Sequence, residues 1–369
     1  MSSIILKKHF TDEEMRDKSG TYFNIEDDWI FLENKNDENI KIFKPDNTLL
    51  AVIKRGAISS ELCDIAINSF LDTKNIHTNN RGIASGDKNR QNNSVKFEKT
   101  NPVHSSIIGY IDSPNHKRPC RLTSYSKKYF EKYKKGISFI QRIDSCFNET
   151  IEDAYKKQKE FSEIDQVKDF IIENTAFSTV TVNYNFRTAL HKDTGDYKEG
   201  FGNLVVCTKN IKGGHILFPQ YKLAIQLYNG DFLAMDVHEW HCNSEIILEN
   251  PENTNDSYRL SFVCYLREKM IECKNVNENL KKIIGDLDGK KWDTSILFTK
   301  IFEILGENIP KKEFLIEDKP WWKMQGEYIT LFYKNKRYYL DDYKNSKRIN
   351  NLIPSWNYVR DNLVISANF

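Results

Sequence analysis

The chain has 369 residues, a formal net charge of +2, 39% hydrophobic residues and 29% charged residues. These proportions exclude a disordered chain and leave room for one large or two medium domains with a sizeable core. A charge so near zero excludes a global basic field, so any nucleic-acid contact must rest on a local patch. Residues 1–48 are polar and read as an N-terminal arm with short strand-like pieces at Trp29–Leu32 and Ile40–Phe43. Leu49–Ile53 is a buried-strand pattern, and Ser59 caps a helix whose apolar Leu62, Ile65, Ala66 and Phe70 recur at helical spacing. Thr73–Asn101 is polar, Asn-rich and Gly-containing, and predicts a long loop. Residues 127–171 carry apolar positions at helical spacing and predict a helical layer supporting a sheet.

From Ser178 the period changes to two. Val180, Val182, Tyr184 and Phe186 alternate with Thr181, Asn183, Asn185 and Arg187, which predicts a strand with one apolar and one polar face. Short apolar runs follow at Gly202–Cys207, Gly214–Pro219, Leu223–Tyr228, Asp231–Asp236, Trp240–Ile247 and Tyr258–Leu266, several of them separated by turn residues. Such strands without intervening helices read as a sandwich or jelly roll. Beyond Lys269 the pattern is helical again, then aromatic and basic, with Lys334-Asn335-Lys336 predicting a hairpin turn. Seven cysteines include no C-x-x-C pair, and several lie in strand patterns, so buried reduced thiols are expected. No run reaches the ~18 apolar residues of a membrane span, and no secretory signal opens the chain. A cytoplasmic or nuclear protein is expected, with no membrane association and no obligate protein partner.

The chemistry concentrates between Thr181 and Arg259. His191 and Asp193 follow a strand and start the turn Asp193-Thr194-Gly195-Asp196, and His241 opens a later strand. Two imidazoles and one carboxylate form the set that holds Fe(II) on one face and leaves the other open. His238 competes for the distal position, but it lies in the preceding turn and, three residues from His241, would face the opposite side of a strand. Arg259 starts the last strand, with Ser261 on the same face. An arginine and a hydroxyl projecting into the same site would hold the far carboxylate of 2-oxoglutarate. Asn183, Asn185 and Arg187, on the polar face of the strand feeding His191, either line that pocket or face water. The bland alternative is that His191 and Asp193 merely form a turn.

At these residues the sequence resembles the TET/JBP family. The resemblance rests on Asn183-x-Asn185-x-Arg187-Thr188-Ala189-x-His191-x-Asp193-x-Gly195-Asp196, on Gly213-Gly214 with Phe218-Pro219-x-Tyr221, on Gly230-Asp231 through His241-x-Asn243, and on Arg259-x-Ser261-x-Val263-x-Tyr265. Asn80-Arg81-Gly82-x-Ala84-x-Gly86 and Pro119-Cys120-Arg121-x-Thr123 extend it upstream, so that it covers roughly residues 75–270. It is closer to the J-binding-protein thymine hydroxylase branch than to animal TET enzymes. The resemblance implies a double-stranded β-helix, Fe(II) on His191, Asp193 and His241, 2-oxoglutarate on Arg259, and O2-dependent hydroxylation of the 5-methyl group of a pyrimidine (thymine or 5-methylcytosine) in DNA. It also implies that the target base flips out of the helix.

The expected fold class is therefore α+β, a jelly-roll core with flanking helices and a small C-terminal module. The expected domains are residues 1–48 as an arm, 49–275 as the dioxygenase domain and 276–369 as an accessory module. Candidate phosphate or base contacts are Arg81, Arg90, Lys117, Arg118, Arg121 and Lys127-Lys128, with Lys334, Lys336 and Arg337 among tyrosines. The competing functions are the same oxygenase acting on protein or a small molecule, a catalytically silent nucleic-acid-binding module, and a cupin-like sugar-binding jelly roll.

Overall fold

The computed structural model describes residues 2–33, 39–86, 102–112, 120–253, 256–273 and the backbone of 329–333 and 336–340. In chain order the first half forms β1 (Ser2–Ile5), α1 (Asp12–Asp17), β2 (Ile30–Leu32), β3 (Ile40–Phe43), β4 (Leu49–Lys54), α2 (Ser60–Phe70), β5 (His77–Thr78), β6 (Val103–Ile111), β7 (Arg121–Leu122), α3 (Ser124–Lys128), α4 (Phe130–Thr150) and α5 (Glu152–Ser162). The second half forms β8 (Thr179–Tyr184), β9 (Gly202–Lys209), β10 (Ile211–Gly213), β11 (Ile216–Phe218), β12 (Leu223–Ile225), β13 (Phe232–Met235), β14 (Cys242–Asn243), β15 (Ile246–Leu248) and β16 (Tyr258–Tyr265). Two compact units result. One contains Met1–Ile108, Glu131–Ser162 and Ile171–Glu268, and the other Gly109–Phe130, Glu163–Phe170 and Lys269–Phe369.

Among the described residues the first unit holds two main β-sheets and a two-stranded one, β10-β15. The larger has the strand order β1-β3-β4-β13-β9-β16-β8-β6-β5, and the smaller β14-β11-β12-β2. Apolar side chains of both sheets, among them Ile42, Leu50, Leu233, Phe218, Leu223 and Ile225, form one buried cluster. Burying such side chains is worth about 1.5–3 kcal/mol each. This is the expected α+β fold of jelly-roll type, with the strands arranged in facing sheets and, among the described residues, no closed barrel. The helices cover the remaining side of the large sheet, where Phe262 of β16 meets Phe139 of α4 at 4.8 Å and Phe70 of α2 at 5.7 Å between ring centroids. Ser59 caps α2 by accepting a hydrogen bond from the Leu62 amide, as its sequence predicts.

Residues before 49 are not a separate arm. β1 and β3 extend the large sheet, β1 parallel to β3 and β3 antiparallel to β4, while β2 adds a parallel strand to β12. Short strands in a polar context were legible, but their partners lie far along the chain. The predicted loop at 73–101 is also more ordered than expected at its start, where 3-10 turns at Leu71–Asn75 and Gly82–Ser85 flank β5. Its remainder, 87–101, lies outside the described residues. The predicted strand Trp240–Ile247 is broken into β14 and β15, which pair with different partners, β11 and β10.

In the second unit, β7 pairs with the end of β6 through Tyr110↔Leu122, and Thr123 caps α3. Cys120 and Cys273 are joined in a disulfide 153 residues apart in sequence. This corrects the expectation that all cysteines are reduced, which rested on motif spacing and could not see a long-range pair. Cys63, Cys146, Cys207, Cys242 and Cys264 are free and buried, as expected. The last segment of the second unit begins at Lys269 rather than 276, and the unit also takes in Gly109–Phe130 and Glu163–Phe170. Within the expected C-terminal module, β17 (Ile329–Tyr333) and β18 (Lys336–Leu340) form the predicted antiparallel hairpin, and the rest lies outside the described residues.

A buried ion pair ties β4 to the turn before β13. Arg55 Nη1 lies 2.6 Å from Asp231 Oδ2, with side chains only 8% and 5% exposed. Asp231 also accepts hydrogen bonds from the Gly56 and Tyr228 amides. Arg55→Ala strands a buried carboxylate and should cost about 3–5 kcal/mol, read as a lower urea midpoint. An unchanged midpoint would show that the pair contributes nothing.

Candidate metal and co-substrate site

His191 and His241 form an antiparallel bridge in which each amide donates to the other's carbonyl at 3.0 Å. The bridge sets the two imidazoles side by side, with centroids 4.3 Å apart. Each ring is then oriented by its own neighbourhood. His191 Nδ1 lies 2.8 Å from the Ala189 carbonyl and His241 Nδ1 2.9 Å from the Glu239 carbonyl. A proton on each Nδ1 donates to that carbonyl and leaves Nε2 as a lone-pair donor. The Asp193 carboxylate faces both Nε2 atoms, at 3.6 Å from His191 and 3.8 Å from His241. These separations are too long for hydrogen bonds, and one ligand atom from each residue lies within 4.8 Å of the others. The set suits a divalent ion that prefers imidazole and carboxylate.

Distant segments hold these three residues. Gly20 donates to the Leu190 carbonyl, and the Leu190 amide donates to Thr21, both at 2.8 Å. Ala189 donates to Ala84 at 2.8 Å, and Asp193 to Val237 at 2.9 Å. The turn before His241 is gripped by Lys44, whose ammonium lies 3.1 Å from Asp236 and 3.0 Å from Glu239, and Tyr221 donates to Glu239 at 3.1 Å. His238, the rejected competitor, pairs with Asp236 at 3.3 Å and stays out of the cluster. His215 stacks edge-on against Phe31 and lies 3.1 Å from Ser244 Oγ.

The three residues line a cavity of about 480 Å³. Its wall includes the predicted Arg259, Ser261 and Asn183, and alternation along β16 continues it to Val263 and Tyr265. Ser261 pairs with Asn183 and Val263 with Thr181 on β8, so the polar side of β8 faces this cavity rather than solvent. Arg259 is 4% exposed and one of its guanidinium nitrogens, Nη2, is buried without a hydrogen-bond partner. Burial lowers its pKa to about 10, so it remains a cation at neutral pH. An orphaned buried guanidinium beside a ligand cluster fits the carboxylate of an organic acid. Gly214, at φ +69°, makes room for it, since a Cβ there would sit 3.1 Å from Arg259 Cδ and Nε.

Arg187 is not part of this cavity. Its guanidinium donates to the Phe23 carbonyl at 2.9 Å and to Asn24 at 2.8 Å, and lies 5.1 Å from the Tyr22 ring. β8 ends at Tyr184, so the alternation that assigned Arg187 to the pocket face no longer applies. Asn185, at φ +46°, accepts from the Arg259 amide and donates its own to the Arg259 carbonyl, which makes it a backbone clamp. Arg81, expected at the rim, is instead in the wall. It donates to Ser105 at 2.7 Å, Ser105 donates to Asn183 at 2.5 Å, and burial lowers the Arg81 pKa. Asp196 and Arg267 also line the cavity, and burial followed by the charge of Asp193 pushes the Asp196 carboxyl well above its usual range. Only alternation hinted at Thr181 and Tyr265, nothing local hinted at Lys44, and the motif around Arg81 pointed to the rim rather than to the wall. Arg90, Lys117 and Arg118 lie outside the described residues, as do the side chains of Arg121, Lys127, Lys334, Lys336 and Arg337. Lys128 is exposed, 5.0 Å from the Tyr129 ring.

Residues 106–268 match the Tet_JBP family model, described as the oxygenase domain of the 2OGFeDO superfamily. The chain is similar to the bifunctional helicase and thymine dioxygenase JBP2 of Trypanosoma cruzi (strain CL Brener), 32% identical over 230 residues that make up 60% of this chain and 19% of that protein. It is also similar to the thymine dioxygenase JBP1 of Trypanosoma brucei brucei, 30% identical over 212 residues, 56% of this chain and 24% of that protein. The chain thus spans about a fifth to a quarter of the length of these curated relatives. Among solved structures, NgTET1 in complex with 5mC DNA is a distant likeness, with a TM-score of 0.43 and 11% identity over 70% of this chain and 92% of that one.

Burial and then the charge of His191 lower the His241 pKa to about 4, against an ordinary 6.5. The unfolded chain therefore binds a proton at this histidine between pH 6.5 and 4 that the metal-free fold does not. Stability should fall as pH drops through that window, by up to about 3 kcal/mol from this group. Urea titrations of metal-free wild type and His241→Asn should differ in slope across the window. Parallel slopes would refute the assignment.

Proposed function

We propose that this chain, whose residues 106–268 match the Tet_JBP family model, is an Fe(II)- and 2-oxoglutarate-dependent dioxygenase that hydroxylates the 5-methyl group of a pyrimidine in DNA, thymine ahead of 5-methylcytosine. The observation that carries the reading is the sharing of one cavity by the His191, Asp193 and His241 cluster and the unpartnered Arg259 guanidinium. A binding module needs neither feature. The named activity of the JBP relatives, thymine dioxygenase, supports thymine as the target base.

In this reading His191, Asp193 and His241 hold the iron, and Arg259 with Ser261 holds the far carboxylate of 2-oxoglutarate. When bound, iron and 2-oxoglutarate supply the activation of O2 that oxidises a C–H bond, with succinate and CO2 as co-products. The chain's own contribution is geometric. The main-chain bridge and the Nδ1 hydrogen bonds fix both imidazole lone pairs, and Asp193 supplies the charge. The buried guanidinium orients the co-substrate before the target arrives. The Thr181, Asn183, Arg81 and Tyr265 wall bounds the space left for a flipped base and keeps bulk water out.

Two measurements test this. Purified protein with Fe(II), 2-oxoglutarate and thymine-containing or methylated DNA should yield hydroxymethylated nucleosides by mass spectrometry. Asp193→Ala should yield none while still binding DNA, and turnover by that variant would overturn the metal assignment. Arg259→Gln should weaken 2-oxoglutarate binding by about 2–5 kcal/mol, roughly 30-fold or more in Kd. Unaltered Kd would remove Arg259 from the co-substrate site.

A further inference from the structure

A second pair of imidazoles stands apart from the cluster just described. His77 of β5 and His104 of β6 are direct cross-strand partners in an antiparallel pairing. Their Nε2 atoms are 3.1 Å apart, their ring centroids 4.1 Å apart, and their planes inclined at 51°. The pair His191 and His241 has centroids 4.3 Å apart and the same 51° inclination. Both pairs thus bring two ring nitrogens together from side-by-side rings on bridged backbones. At 3.1 Å the two Nε2 atoms are also within hydrogen-bond reach of each other, one ring N–H donating to the other ring's lone pair. The His77 side chain is exposed and His104 is half-buried, so water can reach a bound ion. Among the described residues no third histidine, cysteine or carboxylate completes the set.

We propose that His77 and His104 form a second metal site, which takes a divalent transition ion of the Zn(II), Ni(II) or Cu(II) class through both Nε2 atoms, with water in the remaining positions. Imidazole donors select this class over Mg(II) and Ca(II), which require oxygen. The strand pairing holds the two donors before any ion arrives, so little ordering is left for binding to impose. Burial and the charge of His77 disfavour protonated His104, which keeps its lone pair available near neutral pH.

The location gives the site a consequence. Ser105, the neighbour of His104, links Arg81 to Asn183, and both line the large cavity. Thr78, the neighbour of His77, accepts from the Asn80 amide at 3.1 Å, and Asn80 also lines the cavity. An ion joining β5 to β6 therefore staples the wall segment that carries Asn80 and Arg81. Occupancy rigidifies that wall without touching His191, Asp193 or His241. The inference stands whether or not the chain oxidises DNA.

The test is metal stoichiometry. Chelator-treated wild type should bind two equivalents of Zn(II) by calorimetry, and His77→Gln one. His241→Ala, which dismantles the first site, should keep one equivalent and lose it when His77→Gln is added. Cu(II) bound to His241→Ala should show nitrogen hyperfine structure from imidazole in its electron paramagnetic resonance spectrum. Equal stoichiometry in wild type and His77→Gln, or an oxygen-only copper spectrum, would reduce the pair to a hydrogen bond and overturn the proposal. His104→Gln provides the same comparison from the other strand.

Discussion

The structure turns on two reciprocal main-chain hydrogen bonds between His191 and His241. They join residues 50 positions apart and make the imidazoles neighbours without any contribution from the side chains themselves. Everything that positions a ligand then acts on this bridge. The N-terminal segment pins Leu190 through Gly20 and Thr21, and Ala84 pins Ala189. Lys44 holds the two carboxylates of the turn that supplies the carbonyl for His241 Nδ1. The residues before 49 are therefore part of the machinery that presents the cluster, which explains why they are built into both sheets.

The cavity beside the bridge is electrostatically expensive. Arg259 is buried with an unpartnered nitrogen, the half-buried Arg81 lines the same cavity, and Asp196 is forced toward its neutral form by burial and by Asp193. An unpaired buried cation costs stability, and a bound carboxylate offsets that cost only when it arrives. The fold tolerates this because the strands carrying these groups are braced on their other side by aromatic contacts from the helices to Phe262. Alternation along β16 does both jobs at once. Phe262 faces the helical layer, while Arg259, Ser261, Val263 and Tyr265 face the cavity.

Much of this was legible in the chain. Period-two alternation revealed β8 and β16 and, with them, which residues share the cavity face. The spacing of His191 and Asp193, and the strand parity that preferred His241 to His238, identified the cluster. Arg187 shows where the same logic stops. Alternation continued on paper past Tyr184, but the strand ended there and the side chain turned to Phe23 and Asn24. The Cys120–Cys273 bond likewise leaves no local trace, because its partners are brought together only by the folded chain.

By itself, then, the sequence determined the donor chemistry. Two imidazoles, a carboxylate and an arginine are properties of residue type, and the face that Arg259 takes follows from the period of two that its strand imposes locally. Tertiary structure alone decided which distant groups hold those donors. Lys44 gripping the turn before His241, Arg81 reaching the cavity wall through Ser105, and His77 meeting His104 each join residues whose proximity is set by sheet pairing. Pairing depends on which strands bury their faces together across the whole core, and no local pattern encodes that.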